Sequence, residues 1–206
     1  MLVHLRSAQF NASYLKYVHQ DPVHSLTESR SLERRCMSDR NIFFWIENDV
    51  PTAVLCVAYI TGLTDDIGDI LEIDSPVCEQ ADHAIFYSVF RTDRPSTIQN
   101  TGARLIREAA TWIHANQPEI RQFVTMSPIP NLSAHFAEPP SIQAIMEFLS
   151  AQKDPVAKFH LRNGARVLRV IPNADNSERR RTQSYSNMVN YDYTQNFIDP
   201  VASINS

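Results

Sequence analysis

Gln122-Phe123-Val124-Thr125-Met126-Ser127-Pro128-Ile129-Pro130 reads as a short apolar strand that runs into a serine and then into two prolines. Pro128 fixes its own φ, removes a backbone donor and pushes Ser127 toward an extended conformation. The pattern predicts a buried strand over 122–126 that stops at Ser127 and leaves an exposed hydroxyl, held still. A serine so placed is either a cap or a reactive group. The rest of the chain decides which.

On the N-terminal side of this strand, residues 102–116 put Leu105, Ile106, Ala109, Ala110 and Ile113 on one helical stripe, and Pro118 ends it. Residues 83–90 read as a strand, broken by Asp93, Arg94, Pro95 and Ser96. Residues 41–47 and 52–61 are apolar runs separated by Asn48-Asp49-Val50-Pro51, the chemistry of an antiparallel hairpin. Residues 1–39 are polar, with Leu5, Phe10, Tyr14, Leu15 and Val18 on one helical face and a second helix over 25–35, so they are expected to be a helical cover. On the C-terminal side we expect a helix over 141–151 and strands over 165–171 and 188–193, with Tyr185, Tyr191 and Tyr193 on one strand face and 194–206 as a loose tail. Residues 67–73 carry no clear period. The order predicts one domain over 1–206, of mixed α+β class: a mixed twisted sheet flanked by helices.

Composition narrows the function. The 206 residues carry a formal net charge of −4, and the longest basic run is Arg179-Arg180-Arg181, read as a solvated turn. This argues against a nucleic-acid or membrane-surface partner. Cys36, Cys56 and Cys78 lack Cys-x-x-Cys spacing, so neither a disulfide framework nor zinc is expected, and Cys56 reads as a small buried residue. No apolar run approaches a membrane span, no basic-then-apolar leader opens the chain, and the C-terminus lacks Ser-Lys-Leu; a cytoplasmic protein is expected. No His/Asp/Glu spacing indicates a metal; His83, His114 and His135 read as edge or surface residues, and Trp45 and Trp112 as core anchors.

Downstream of Ser127 comes Phe159-His160-Leu161-Arg162-Asn163-Gly164-Ala165, a histidine between apolar neighbours followed by a turn signal. Upstream, Gln99-Asn100-Thr101-Gly102 joins a strand to an amphipathic helix, a helix start that suits a phosphate.

The series Ala84-Ile85-Phe86-Tyr87-Ser88, the Gly102 turn with Leu105 and Ile106, Ser-Pro-Ile-Pro, and Phe-His-Leu-Arg-Asn-Gly-Ala ends in a tail with Ala174, Asp175, Ser177, Arg179, Ser184, Met188, Asn190, Tyr191 and Tyr193. From Arg34 to Tyr193 this resembles the catalytic domain of malonyl-CoA decarboxylase, a GNAT-like acyl-CoA fold. The resemblance implies that Ser127 and His160 are the active-site pair, with Ser88 and Tyr193 in support and Asn100 at the position of a family glutamate. It implies CoA contacts from Thr97, Ile98, Gln99, Thr101, Gly102 and Ala103. In the GNAT phosphate loop, Gln/Arg-x-x-Gly-x-Gly/Ala, Gln99 and Gly102 match while Arg104 takes the last small-residue position.

Two departures stand out: Asn100 cannot hold a proton as the glutamate would, and Ile98 replaces a glycine and stiffens the loop. The family also has an N-terminal helical domain for which this chain has no room, and a longer segment between serine and histidine. The resemblance implies decarboxylation of malonyl-CoA or another β-carboxyacyl thioester, on CoA or an acyl-carrier protein, in fatty acid or polyketide metabolism, without metal or organic cofactor. Homo-oligomerisation stays open. The alternatives are a CoA- or carrier-dependent acyltransferase with His160 as general base, and a non-catalytic acyl-CoA-binding module.

Overall fold

The computed structural model describes residues 2–5, 12–24 and 29–198. They fall into two compact units, residues 1–62 with 70–121, and residues 63–69 with 122–206.

The first unit contains β1 (Leu2–Leu5), α1 (Ala12–Val18), α2 (Ser29–Arg35), β2 (Arg40–Glu47) and β3 (Val50–Ile60). A short α3 (Gly68–Leu71) follows at the boundary in sequence, then β4 (His83–Arg91) and α4 (Thr101–Asn116). The four strands form an antiparallel ladder in the order β1-β2-β3-β4. The β2–β3 hairpin turns at Asn48 and Asp49, φ 49° and 63°, the left-handed pair that matches the twist of its strands. Cys56, Val57 and their neighbours along β3 are buried without alternation, because both faces of the strand are covered. The predicted stripe of α4, Leu105 to Ile113, is buried and lies on β2, β3 and β4. Trp45 is buried, whereas Trp112 is half-buried with its ring against Phe43.

The polar N-terminus behaves differently from a plain helical cover. Residues 2–5 are a strand that pairs with β2, Leu2 opposite Trp45 and Leu5 opposite Ile42; four residues are too few to show a period. Behind α2, buried arginines meet buried carboxylates: Arg35 with Asp21 at 2.7 Å, and Arg34 and Arg40 with Asp39 at 3.3 and 2.8 Å. These charges are tolerated inside because each is paired. Phe10 and residues 25–28 lie outside the described residues.

The second unit contains β5 (Gln122–Thr125), β6 (Ser127–Pro128), α5 (Leu132–His135), α6 (Ile142–Ser150), α7 (Pro155–Arg162), β7 (Arg166–Ile171), α8 (Glu178–Ser184), β8 (Met188–Asp192) and α9 (Thr194–Ile198). Strand β8 is central, with β5 and β6 on one side and β7 on the other, all antiparallel. The strand into Ser127 does not stop there: Val124 pairs with Asp192, Ser127 with Val189 and Pro128 with Met188, one register interrupted at Thr125 and Met126. Pro128 fits because it ends the strand.

Three further expectations change in this unit. Arg179 to Arg181 lie in α8, where Arg180 is buried near Asp175 while its two neighbours are exposed. Tyr185 caps that helix at φ 52° and so leaves the strand face assigned to it. The expected tail begins with α9, and residues 199–206 lie outside the described residues. Its anchor is Asn196, whose side chain donates to the Gly164 carbonyl at 2.8 Å. Gly164 has φ 88°, and a Cβ there would sit 2.6 Å from that side chain, so the Asn-Gly turn signal has two physical reasons.

Candidate active site

Ser127 is buried, 5% exposed, rather than exposed as its strand-end position predicts. The reason is α7. Asp154-Pro155 starts this helix with a carboxylate cap, Asp154 Oδ1 accepting from the Val156 and Ala157 N–H groups at 2.8 and 3.1 Å, and a proline in its first turn. The buried face of α7 holds Ala157 and, in its last turn, His160.

There the sequence-predicted residues meet. His160 Nε2 lies 3.3 Å from Ser127 Oγ, and His160 Nδ1 lies 2.9 Å from the Tyr193 hydroxyl. Tyr193 is held just beyond β8 by its N–H, which donates to the Phe123 carbonyl at 2.8 Å. All three side chains are buried. Burial pushes the His160 imidazole from 6.5 down to about 3, so the ring is neutral at ordinary pH, and burial also pushes the Tyr193 phenol up. The site is a buried, uncharged hydrogen-bonded chain.

Three residues to which the sequence assigns no role in the site complete it. Thr125 lies two positions before Ser127 and so shares its strand face; Ser127 Oγ donates to Thr125 Oγ1 at 2.9 Å. Tyr191 stacks on the imidazole, centroids 4.6 Å apart and planes 24° apart, and its buried hydroxyl has no hydrogen-bond partner among the described residues. Asp154, fully buried, accepts the Asn131 N–H at 3.1 Å through its second oxygen. Burial pushes this carboxyl above its usual range despite three backbone donors. Period two and the Asp-Pro helix start were the signals available for Thr125 and Asp154.

The other expected residues belong to the first unit. Ser88 is buried in β4 beside an irregularity at which Cys56 pairs with Ser88 but Val57 with Phe86; its hydroxyl has no partner among the described residues. Residues 97–100 form a loop and Thr101, Gly102 and Ala103 the first turn of α4. Glu47 anchors this loop, accepting from the hydroxyls of Ser96 and Thr97 and from the Thr97 N–H; these bonds hold its carboxyl at about 2. Asn100 is exposed in the left-handed conformation, φ 57° and ψ 33°, and its side chain makes no cap bond. Thr97 and Gln99 are exposed, Ile98 and Gly102 half-buried, Thr101 and Ala103 buried. Among the described residues no group of His, Cys, Asp and Glu is placed to hold a metal, and no helix is long and apolar enough to cross a membrane.

The profile of the malonyl-CoA decarboxylase C-terminal domain matches residues 6–153 and 146–201. The chain is 23% identical to the mitochondrial malonyl-CoA decarboxylase of Anser anser anser over 89% of its own length and 49% of that protein's, so it spans about half of that relative. It superposes on malonyl-CoA decarboxylase from Agrobacterium vitis with TM-score 0.80 and 22% identity, covering 100% of this chain and 63% of the other. On the GphF GNAT-like decarboxylase in complex with isobutyryl-CoA the TM-score is 0.63 at 16% identity, covering 93% of this chain and 97% of that one. These likenesses show a GNAT-like α/β fold, as expected from the sequence.

Proposed function

The chain belongs to the malonyl-CoA decarboxylase C-terminal domain family, and from that membership we propose that it decarboxylates malonyl-CoA or a related β-carboxyacyl thioester, on CoA or on a carrier-protein phosphopantetheine. The observation that carries the reading is the buried contact of 3.3 Å between Ser127 Oγ and His160 Nε2, with Tyr193 on the far nitrogen.

The reaction breaks the bond between the carboxylate and the α carbon. The bonding electrons pass into the thioester as an enolate, CO2 leaves, and the α carbon takes one proton. The thioester carbonyl is the electron sink, so the chemistry needs neither metal nor organic cofactor. Water stabilises a carboxylate more than a dispersed enolate, so a dry site favours loss of CO2. In this reading the Ser127 hydroxyl turns its proton from Thr125 to the carboxylate or the enolate oxygen, with the scissile bond turned out of the thioester plane. His160 supplies the proton. Burial keeps it neutral, and a carboxylate arriving beside it raises its proton affinity, so substrate binding loads the acid.

On the family resemblance, Ser88 is a supporting hydroxyl, and residues 97–103 with the start of α4 receive the CoA phosphates. The ready-made Glu47 anchoring supports that role for the loop. A place in cytoplasmic fatty acid or polyketide metabolism is part of the same proposal.

The test is incubation of the purified protein with malonyl-CoA and with a malonyl carrier protein, following the acyl species by mass. Acetyl thioester with CO2 is the expected product. Acyl loss only when an amine or alcohol is present would make the protein an acyltransferase, and a bound, unchanged ligand would make it a binding module; either overturns the reading.

A further inference from the structure

Beyond the Ser/His pair lies a further hydroxyl, that of Thr125, to which the family resemblance assigns no role. We propose that Thr125 is a positioning residue that accepts the hydrogen bond of the Ser127 hydroxyl and thereby fixes His160 as the tautomer with its N–H on Nε2, facing Ser127. This inference builds on the proposed role of the Ser127–His160 pair.

The chain of contacts runs Tyr193 Oη, His160 Nδ1, His160 Nε2, Ser127 Oγ, Thr125 Oγ1, at 2.9, 3.3 and 2.9 Å for its three hydrogen bonds. A neutral imidazole carries one ring proton, so of its two contacts one donates and the other accepts. Ser127 has a single proton. Given to Thr125, it cannot go to Nε2, and Nε2 must then donate to Ser127. Nδ1 is left bare and accepts the Tyr193 phenol proton, which burial keeps on the oxygen.

What keeps Thr125 an acceptor is β8. The Tyr191 N–H also points at Thr125 Oγ1, at 3.1 Å, so two donors occupy its lone pairs. The Asn190 side chain in turn takes the Thr125 carbonyl, at 2.7 Å. At this point two side chains replace the backbone ladder between the strands, and β5 and β6 part at Met126 where they do so. Thr125 is 1% exposed, so water does not compete for these bonds. The arrangement keeps an N–H, rather than a bare nitrogen, aimed at Ser127.

The experiment combines nitrogen NMR of protein labelled with 15N-histidine and steady-state kinetics on malonyl-CoA, for wild type, Thr125→Val and Thr125→Ser. Expected in the wild type is the Nε2–H tautomer of His160, assigned by its loss in His160→Gln. Thr125→Val keeps the shape and removes the acceptor; Ser127 then turns its proton to Nε2, and the tautomer moves to Nδ1–H. Its kcat should fall ~10–100-fold, a fraction of what losing an acid group costs, with KM changed less than threefold. Thr125→Ser should restore both readouts.

A wild-type Nδ1–H tautomer, or a valine variant with the wild-type tautomer and kcat, overturns the inference. Should the valine variant not fold, Thr125→Ala and the wild-type spectrum decide it. Because the spectrum needs no substrate, a protein inert toward malonyl-CoA would sink the proposed function while the tautomer still tests the role of Thr125.

Discussion

Asp154 is bonded to Asn131: its Oδ2 accepts the Asn131 N–H at 3.1 Å, while its Oδ1 caps the helix that carries His160. One carboxylate thus ties the turn after Ser127-Pro128-Ile129-Pro130 to the start of α7, and the 3.3 Å between Ser127 and His160 depends on both ends of that tie. Asp154→Ala should destabilise the protein by about 1–2 kcal/mol, the usual worth of an N-cap, in chemical denaturation. Asp154→Asn keeps an acceptor for the cap but turns an amide toward Asn131. It should therefore be the more stable variant of the two and still lose turnover. Equal stability of both variants with wild type would show the tie to be idle.

Removal of the pair itself has a larger expected effect. His160→Gln should leave acyl-CoA binding nearly intact and lower turnover by at least ~100-fold, the scale for loss of a general acid. Ser127→Ala removes one preorganised donor, worth about 3 kcal/mol of transition-state stabilisation. Single-turnover rates beside binding constants check both. A serine variant that only weakens binding would make Ser127 a positioning residue, and a fully active histidine variant would move the acid elsewhere.

The sequence made the elements legible wherever a period ran long enough. Leu105 to Ile113 marked α4, and Asn48-Asp49 marked the hairpin. It hid what depends on partners. Leu2 to Leu5 needs β2 beside it to be a strand, and Ser127 looked exposed because the return of β8 and the approach of α7 are long-range facts. The resemblance brought Ser127, His160 and Tyr193 forward together, and they do meet. Tyr191 and Tyr193 were placed on one face by alternation, yet they touch the imidazole differently, Tyr191 stacked and Tyr193 through its hydroxyl, because Tyr193 lies past the end of the strand.

Acid should cost this protein stability through His160. The folded imidazole sits at about 3 against 6.5 for an unperturbed one, so between those values the unfolded chain binds the extra proton. The contribution is therefore fully present above pH ~6.5 and is lost as pH falls toward 3, at about 1.4 kcal/mol per unit. His160→Gln removes the titrating group, and its stability should fall less steeply than wild type from pH 6.5 to 4.5 in urea titrations. Parallel curves would mean that the ring is charged, or solvated, in the folded state.

Asn100 is where the chain departs most from its family, and its backbone offers a reason. It sits at φ 57° and ψ 33°, a conformation that asparagine tolerates and that costs other side-chain-bearing residues about 1–2 kcal/mol. Glutamate, the residue the family resemblance places here, is among those it does not suit. If conformation is what the amide supplies, Asn100→Gly should keep the loop and leave KM for malonyl-CoA near the wild-type value. Asn100→Glu should then strain the start of α4, raise KM several-fold and leave kcat no higher. If instead the amide is a weak stand-in for a carboxylate, Asn100→Glu should raise kcat on malonyl-CoA, and the glycine variant should lose it. Both variants measured on malonyl-CoA and on a malonyl carrier protein separate the two, because strain acts on KM for either substrate while a working carboxylate acts on kcat.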